Sequence, residues 1–172
     1  MAKRSVFRDF IAALRKRWRE ELPQVRPVEQ ALGPMMPKAS TFYAGFALQL
    51  GMHVFVNFQH SQKAWQVGQF TINMILSKRE GAPDAWGGPF APVDGVSITE
   101  GSYRISCILG RHNDKWWHLK EDSPSVIANA WRPTSYDDYE AVLIQAATDA
   151  TSDVREALAK LGVNGGPALN GA

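Results

Sequence analysis

From Ser5 to Leu22, apolar side chains recur at three- and four-residue steps. Phe7, Phe10, Ile11, Leu14, Trp18 and Leu22 form one stripe, which predicts an amphipathic helix lying on a core. Ser5 suits its N-cap, and Pro23 ends it. Pro23, Pro27, Gly33, Pro34 and Pro37 then interrupt every period. They predict an extended, turn-rich connector, with room for one helical turn at Val28 to Leu32. At Ser40 the pattern changes to the alternation of strands. Thr41-Phe42-Tyr43 opens a β-favouring run that continues through Phe46 to Leu50, with a turn at Gly51 or Gly45.

Met52 to Gln59 places Val54, Val56 and Phe58 on one face and His53, Phe55, Asn57 and Gln59 on the other. Gln69 to Ser77 repeats the pattern, with Phe70, Ile72, Met74 and Leu76 opposite Thr71, Asn73, Ile75 and Ser77. Residues 78–100 show no convincing element, and a loop of that length is usually functional or mobile. Tyr103 to Leu109 reads as a further strand, and Lys115 to Leu119 as a last one after a turn at residues 110–114. Ser123-Pro124 can open a short helix with Val126, Ile127 and Ala130 inward.

The helical period returns from about Tyr136 to Leu161, capped by Ser135, with Asp137 and Asp138 at its positive end and Gly162 after it. Thr148 to Ser152 is a weak stretch where a kink or a split of the helix is expected. Helix, strands, helix predicts an α+β fold: an antiparallel sheet of about four to five strands flanked by an N-terminal and a long C-terminal helix. Residues 1–162 form one domain on this reading, and 163–172 a flexible tail.

A chain of 172 residues with 45% apolar and 21% charged side chains falls in the ordinary globular range for one domain. Its lone cysteine, Cys107, allows no internal disulfide and shares strand parity with Ile105 and Leu109. It therefore reads as a small buried hydrophobe, which suits a reducing compartment. Apolar stretches fall far short of the roughly 20 residues that cross a bilayer. Arg15, Lys16, Arg17 and Arg19 interrupt the N-terminal stripe where a signal peptide would need apolar residues. The expectation is a cytoplasmic protein with no membrane contact and no cofactor. Net charge is only +2, yet the first 30 residues are basic and residues 134–172 acidic. The terminal helices are thus of opposite sign.

Three phrases are more specific: Val56-Asn57-Phe58-Gln59-His60-Ser61, Phe70-Thr71-Ile72-Asn73-Met74, and Asp114-Lys115-Trp116-Trp117-His118-Leu119. In this order, after Ser40-Thr41-Phe42-Tyr43, they resemble the bacterial domain-of-unknown-function family numbered 4304. The resemblance covers roughly residues 5 to 160. The chain departs from it in its long 78–100 loop and in His60, where Lys or Arg is more typical. The resemblance implies an α+β fold and a cytoplasmic bacterial or phage-borne protein, and it implies no activity.

Candidate chemistry gathers in three places. Asn57, Gln59, Thr71, Asn73, Arg104 and Ser106 share the polar sheet face if their strands are neighbours; amides and a planar guanidinium there can orient a polar ligand. His112, Asp114 and His118 are weak metal-ligand candidates, because imidazole and carboxylate both suit zinc or manganese; turn chemistry explains Asn113-Asp114 more simply. Trp116 and Trp117 must face opposite ways in a strand. Trp117 is taken with Trp86 of the long loop as an aromatic anchor for a protein partner. The basic helix face of Lys3, Arg4, Arg8, Arg15, Lys16, Arg17 and Arg19 can touch phosphate without sequence preference. The balance points to a non-enzymatic protein-binding protein, of immunity or regulatory type, in a bacterial or phage conflict system. A metal-assisted hydrolase or nuclease using His112, Asp114 and His118, and a weak nucleic-acid binder through the basic helix, are the alternatives.

Overall fold

A computed structural model describes residues 5–32, 36–61, 68–80, 98–121 and 130–163. They form an α+β fold, in which two long helices cover one face of a six-stranded antiparallel sheet. In chain order the elements are α1 (Val6–Glu21), β1 (Arg26–Pro27), β2 (Thr41–Ala47), β3 (Met52–His60), β4 (Gln69–Ser77), β5 (Gly101–Arg104), α2 (Ile105–Ile108), β6 (Trp117–His118) and α3 (Tyr139–Lys160). The strands run β1-β2-β3-β4-β5, and β6 also pairs with β4. Val28 to Leu32 is not helical; the chain pairs as β1 just before it.

The free edge of β4 explains the last strands. β5 pairs with Asn73 to Leu76 and β6 with Gln69 and Phe70, both antiparallel. β6 therefore continues the line of β5 after an excursion through residues 105–116. The strand expected from Tyr103 to Leu109 stops at Arg104, and one helical turn replaces its second half. Ile105, Ile108 and Leu109 all enter the core from that turn. Their three- and four-residue spacing fits a helix, and in so short a run the period decides nothing by itself.

Ser5 caps α1, accepting from the Arg8 N–H. α3 begins later than expected: Asp138 accepts from the Ala141 N–H as its N-cap, and Ser135 bonds Asp137 instead. The helix is not split at Thr148 to Ser152: α3 runs unbroken through that stretch. Thr148 and Thr151 return their hydroxyls to the carbonyls of Ile144 and Ala147. They also receive Arg17 and the Trp18 indole from α1, so the polar stretch ties the helices together.

Phe10 and Phe58 pack with Phe70 at the centre of the core, and Trp18 and Phe42 join through Phe58. The outer sheet face carries a smaller apolar cluster, where Met36, Val28 and Leu32 pack with Phe55, Ile75 and Tyr43.

Gly68, entering β4, has φ +64°, and a Cβ there would lie 3.0 Å from both Leu119 and Val6. Gly51 has φ +63° with open space around it. A non-glycine residue in the left-handed region costs about 1–2 kcal/mol. Gly51→Ala should show that cost alone, and Gly68→Ala should exceed it, the two compared by urea denaturation.

Candidate functional site

The register places Thr41, Asn57, Asn73 and Arg104 in one row across β2, β3, β4 and β5. Alternation then sends all four side chains to the outer face, away from α1 and α3. Asn57 Nδ2 donates to Thr41 Oγ1 at 2.9 Å. Asn73 Nδ2 donates to Asn57 Oδ1 at 3.3 Å and to Gln59 Oε1 at 2.9 Å. Arg104 Nη1 donates to Gln59 Oε1 at 2.9 Å and to Asn73 Oδ1 at 2.7 Å. Four of the residues expected on this face, Asn57, Gln59, Asn73 and Arg104, are therefore brought together as one chain of hydrogen bonds.

Thr71 and Ser106 do a different job. Thr71 donates to the Lys115 carbonyl and Ser106 accepts from the Lys115 N–H, which holds the 105–116 excursion against the sheet. The excursion returns Asp114 and Trp116 to Arg104. Asp114 Oδ2 lies 3.3 Å from Arg104 Nε, and the guanidinium carbon sits 5.5 Å over the Trp116 ring. Burial raises the Asp114 pKa, and the Arg104 charge offsets only part of that rise.

Trp117 is not the outward tryptophan. Its register partner is Phe70 on the inner face, so it is fully buried and the half-buried Trp116 faces out. Trp86 lies outside the described residues. His112, Asp114 and His118 do not converge: His112 is exposed, Asp114 pairs with Arg104, and buried His118 meets Gln69 at 2.9 Å through Nε2. Among the described residues no group of three His, Cys, Asp or Glu side chains is placed to hold a metal ion. Cys107 is buried, and desolvation first, then the Asp114 charge, pushes its thiol pKa up.

Desolvation, and secondarily the Arg132 charge, lowers the His118 pKa below 6.5. Above 6.5 the ring is neutral both folded and unfolded, so its contribution to stability is flat there. As pH falls below 6.5 the unfolded state takes a proton that the folded state resists, and stability drops until the folded pKa is reached. One such proton gives a slope of at most about 1.4 kcal/mol per pH unit. Denaturant titrations between pH 7 and 5 should show a shallower loss for His118→Gln than for wild type.

No family model, curated protein or solved structure matches this chain. Its site rests on its own geometry.

An ionic cluster lies behind the site, on the side of α3. Lys115 Nζ lies 2.6 Å from Asp149 Oδ2 and 2.8 Å from Asp153 Oδ2. Arg111 grips Asp153 with both terminal nitrogens at 3.0 Å, and the Trp117 indole donates to Asp149 at 2.8 Å. Asp149 and Asp153 are four residues apart on α3, so they share one helix face. That spacing was the available signal. The cluster pins the excursion to α3 and so fixes where Asp114 and Trp116 sit.

The basic face of α1 is partly committed. Arg15 donates to the Lys38 and Ala39 carbonyls and lies over Phe42, while Arg17 pairs with Glu21 and Thr148. Arg8, Lys16 and Arg19 remain exposed, and Lys3 and Arg4 lie outside the described residues. Among the described residues, no helix is long and apolar enough to cross a membrane.

Proposed function

We propose that this chain is a cytoplasmic, non-enzymatic binding protein of immunity or regulatory type in a bacterial or phage conflict system. It belongs, on this reading, with the domain-of-unknown-function family numbered 4304. Its protein partner docks where β5 and β6 meet. The observation that carries the reading is the outward Trp116 lying under the Arg104 guanidinium. Tryptophan and arginine are the side chains that most often dominate protein interfaces. Here the pair is held in place by Asp114, Gln59 and Asn73, so little rotamer freedom is lost on binding. The rest of the outer-face row serves as the scaffold for that pair.

The test is a pull-down from native-host lysate with wild-type and Trp116→Ala baits, both checked for a native circular-dichroism spectrum. A protein retained by wild type should be lost, or weakened at least tenfold, with Trp116→Ala. Equal retention by both baits, or no retained protein, overturns the proposal.

A further inference from the structure

α1 sorts its charges onto two flanks. Asp9, Arg17 and Glu21 face α3, where they meet Tyr139, Thr148 and Arg155. Arg8, Arg15 and Arg19 take the other flank, because steps of seven and four residues keep Arg15 and Arg19 within about 20° of Arg8 around the helix. Arg15 shows what that flank borders. It lies over the Phe42 ring of β2 and donates to the Lys38 and Ala39 carbonyls at 3.1 and 2.9 Å. The short turn Lys38–Ser40 thereby adds the exposed Lys38 to the same flank. Among the described residues none of these four cations pairs with a carboxylate, whereas Arg17, Arg104, Arg111, Lys115 and Arg155 all do. On the outermost face of α1, Lys16 and Glu20 are both exposed and cancel in net charge.

Two of the placements weaken the helix that carries them. Arg8 stands in the first turn of α1, where the helix dipole disfavours a cation. Arg15 and Arg19 are a like-charged pair four residues apart, which is also unfavourable. An anion laid along the flank offsets both.

We propose that this ridge of Arg8, Arg15, Arg19 and Lys38 binds the phosphate backbone of double-stranded nucleic acid without reading its sequence. From Arg8 to Arg19 the ridge runs about 16 Å along the helix, the axial length of about five phosphates on one strand of a duplex. Beside the cations the flank exposes only the small side chains of Ala12 and Ala39. The largest apolar exposures among the described residues lie elsewhere: Tyr139 and Ile144 on α3, and Leu48 in the turn between β2 and β3. A protein interface needs an apolar centre, and a helix lying on a membrane needs an apolar face beside its cations. A single strand needs aromatic side chains on which its bases stack. A duplex backbone needs charge alone. The ridge borders β2, whereas the Arg104–Trp116 pair stands at β5 and β6, at the other end of the strand order. The two surfaces are therefore separate.

Fluorescence anisotropy of a labelled DNA duplex of about 20 base pairs, titrated with the full chain to about 100 µM at salt concentrations from about 50 to 200 mM, tests this. Four phosphate contacts predict a slope of log affinity on log salt of about −3 to −4, and an affinity loss of about 100-fold across that range. Arg8→Ala, Arg19→Ala and Lys38→Ala, all at exposed positions, should each make the slope shallower by about 0.9. The triple variant should bind at least tenfold more weakly at the lowest salt, with an unchanged circular-dichroism spectrum. Arg132→Ala, next to the residue that bridges β6, and Trp116→Ala should leave slope and affinity unchanged. Absence of binding at the lowest salt would overturn the proposal. So would a triple variant that keeps the wild-type slope, or an Arg132→Ala loss equal to that of Arg19→Ala, which would make net charge and not the ridge responsible. Tighter binding to the single strand, or to vesicles of mixed zwitterionic and anionic phospholipid, than to the duplex would overturn it as well.

Discussion

Trp117→Ala should cost about 3–5 kcal/mol of folding stability, the range for truncating a fully buried large aromatic side chain. Three losses combine. The indole lies flat on Phe70, with ring centroids 5.2 Å apart and planes 4° from parallel, so the cavity opens in the aromatic centre of the core. Its N–H donates to Asp149. Its face also carries the Lys115 ammonium at 4.7 Å, so the ionic cluster loses its apolar floor. Trp117→Phe keeps most of the ring and forfeits the hydrogen bond, and it should cost about 1–2 kcal/mol. Trp116→Ala, at the neighbouring half-buried position, should cost less than Trp117→Ala. Urea denaturation midpoints at fixed pH give all three. A loss below about 1 kcal/mol for Trp117→Ala would mean that β6 is not seated on Phe70.

The same pair of tryptophans marks the limit of what the sequence discloses. Adjacency requires them to face opposite ways, and that much was legible. Which one turns inward depends on Trp117 pairing with Phe70, a contact set by where the chain rejoins β4 after the excursion. β3 and β4 were legible because long alternating runs of large apolar residues leave no other period, and β4 spans the expected Gln69 to Ser77. α1 was legible from its stripe and its Ser5 cap. α2 was not, because Ile105, Ile108 and Leu109 suit a helical turn while the local residue types favour a strand. Co-facial Asn57 and Gln59 followed from parity; that Asn73 joins them and that they satisfy one another, with Arg104 closing the row, needed the register. The cover that Met36 and Leu32 give to Phe55 and Ile75 had no local sign, since a proline-rich connector has no period to read. The ionic cluster joins residues 34 and 42 positions apart, beyond any local pattern.

That cluster sets the second large effect. Asp153→Ala should cost about 2–3 kcal/mol. Removing one member of a buried ion pair typically costs about 3–5 kcal/mol, because its partner is left charged and undersolvated. Here the figure is reduced on both sides. The Arg111 side chain is 39% exposed and can recover water, and Lys115 keeps Asp149. The Asp153 carboxylate is 7% exposed and takes three hydrogen bonds from two cations, so Asp153→Asn, which retains shape without charge, should recover only part of the loss. A double-mutant cycle apportions the coupling: in a Lys115→Met background Asp153→Ala should cost at least about 1 kcal/mol less than in wild type. Equal costs in the two backgrounds would show that Lys115 and Asp153 act independently. The cluster would then not be what clamps the 105–116 excursion to α3. Coupling of the expected size makes the clamp a single unit, and the position of Trp116 over the sheet edge then depends on carboxylates of a helix packed on the sheet's opposite face.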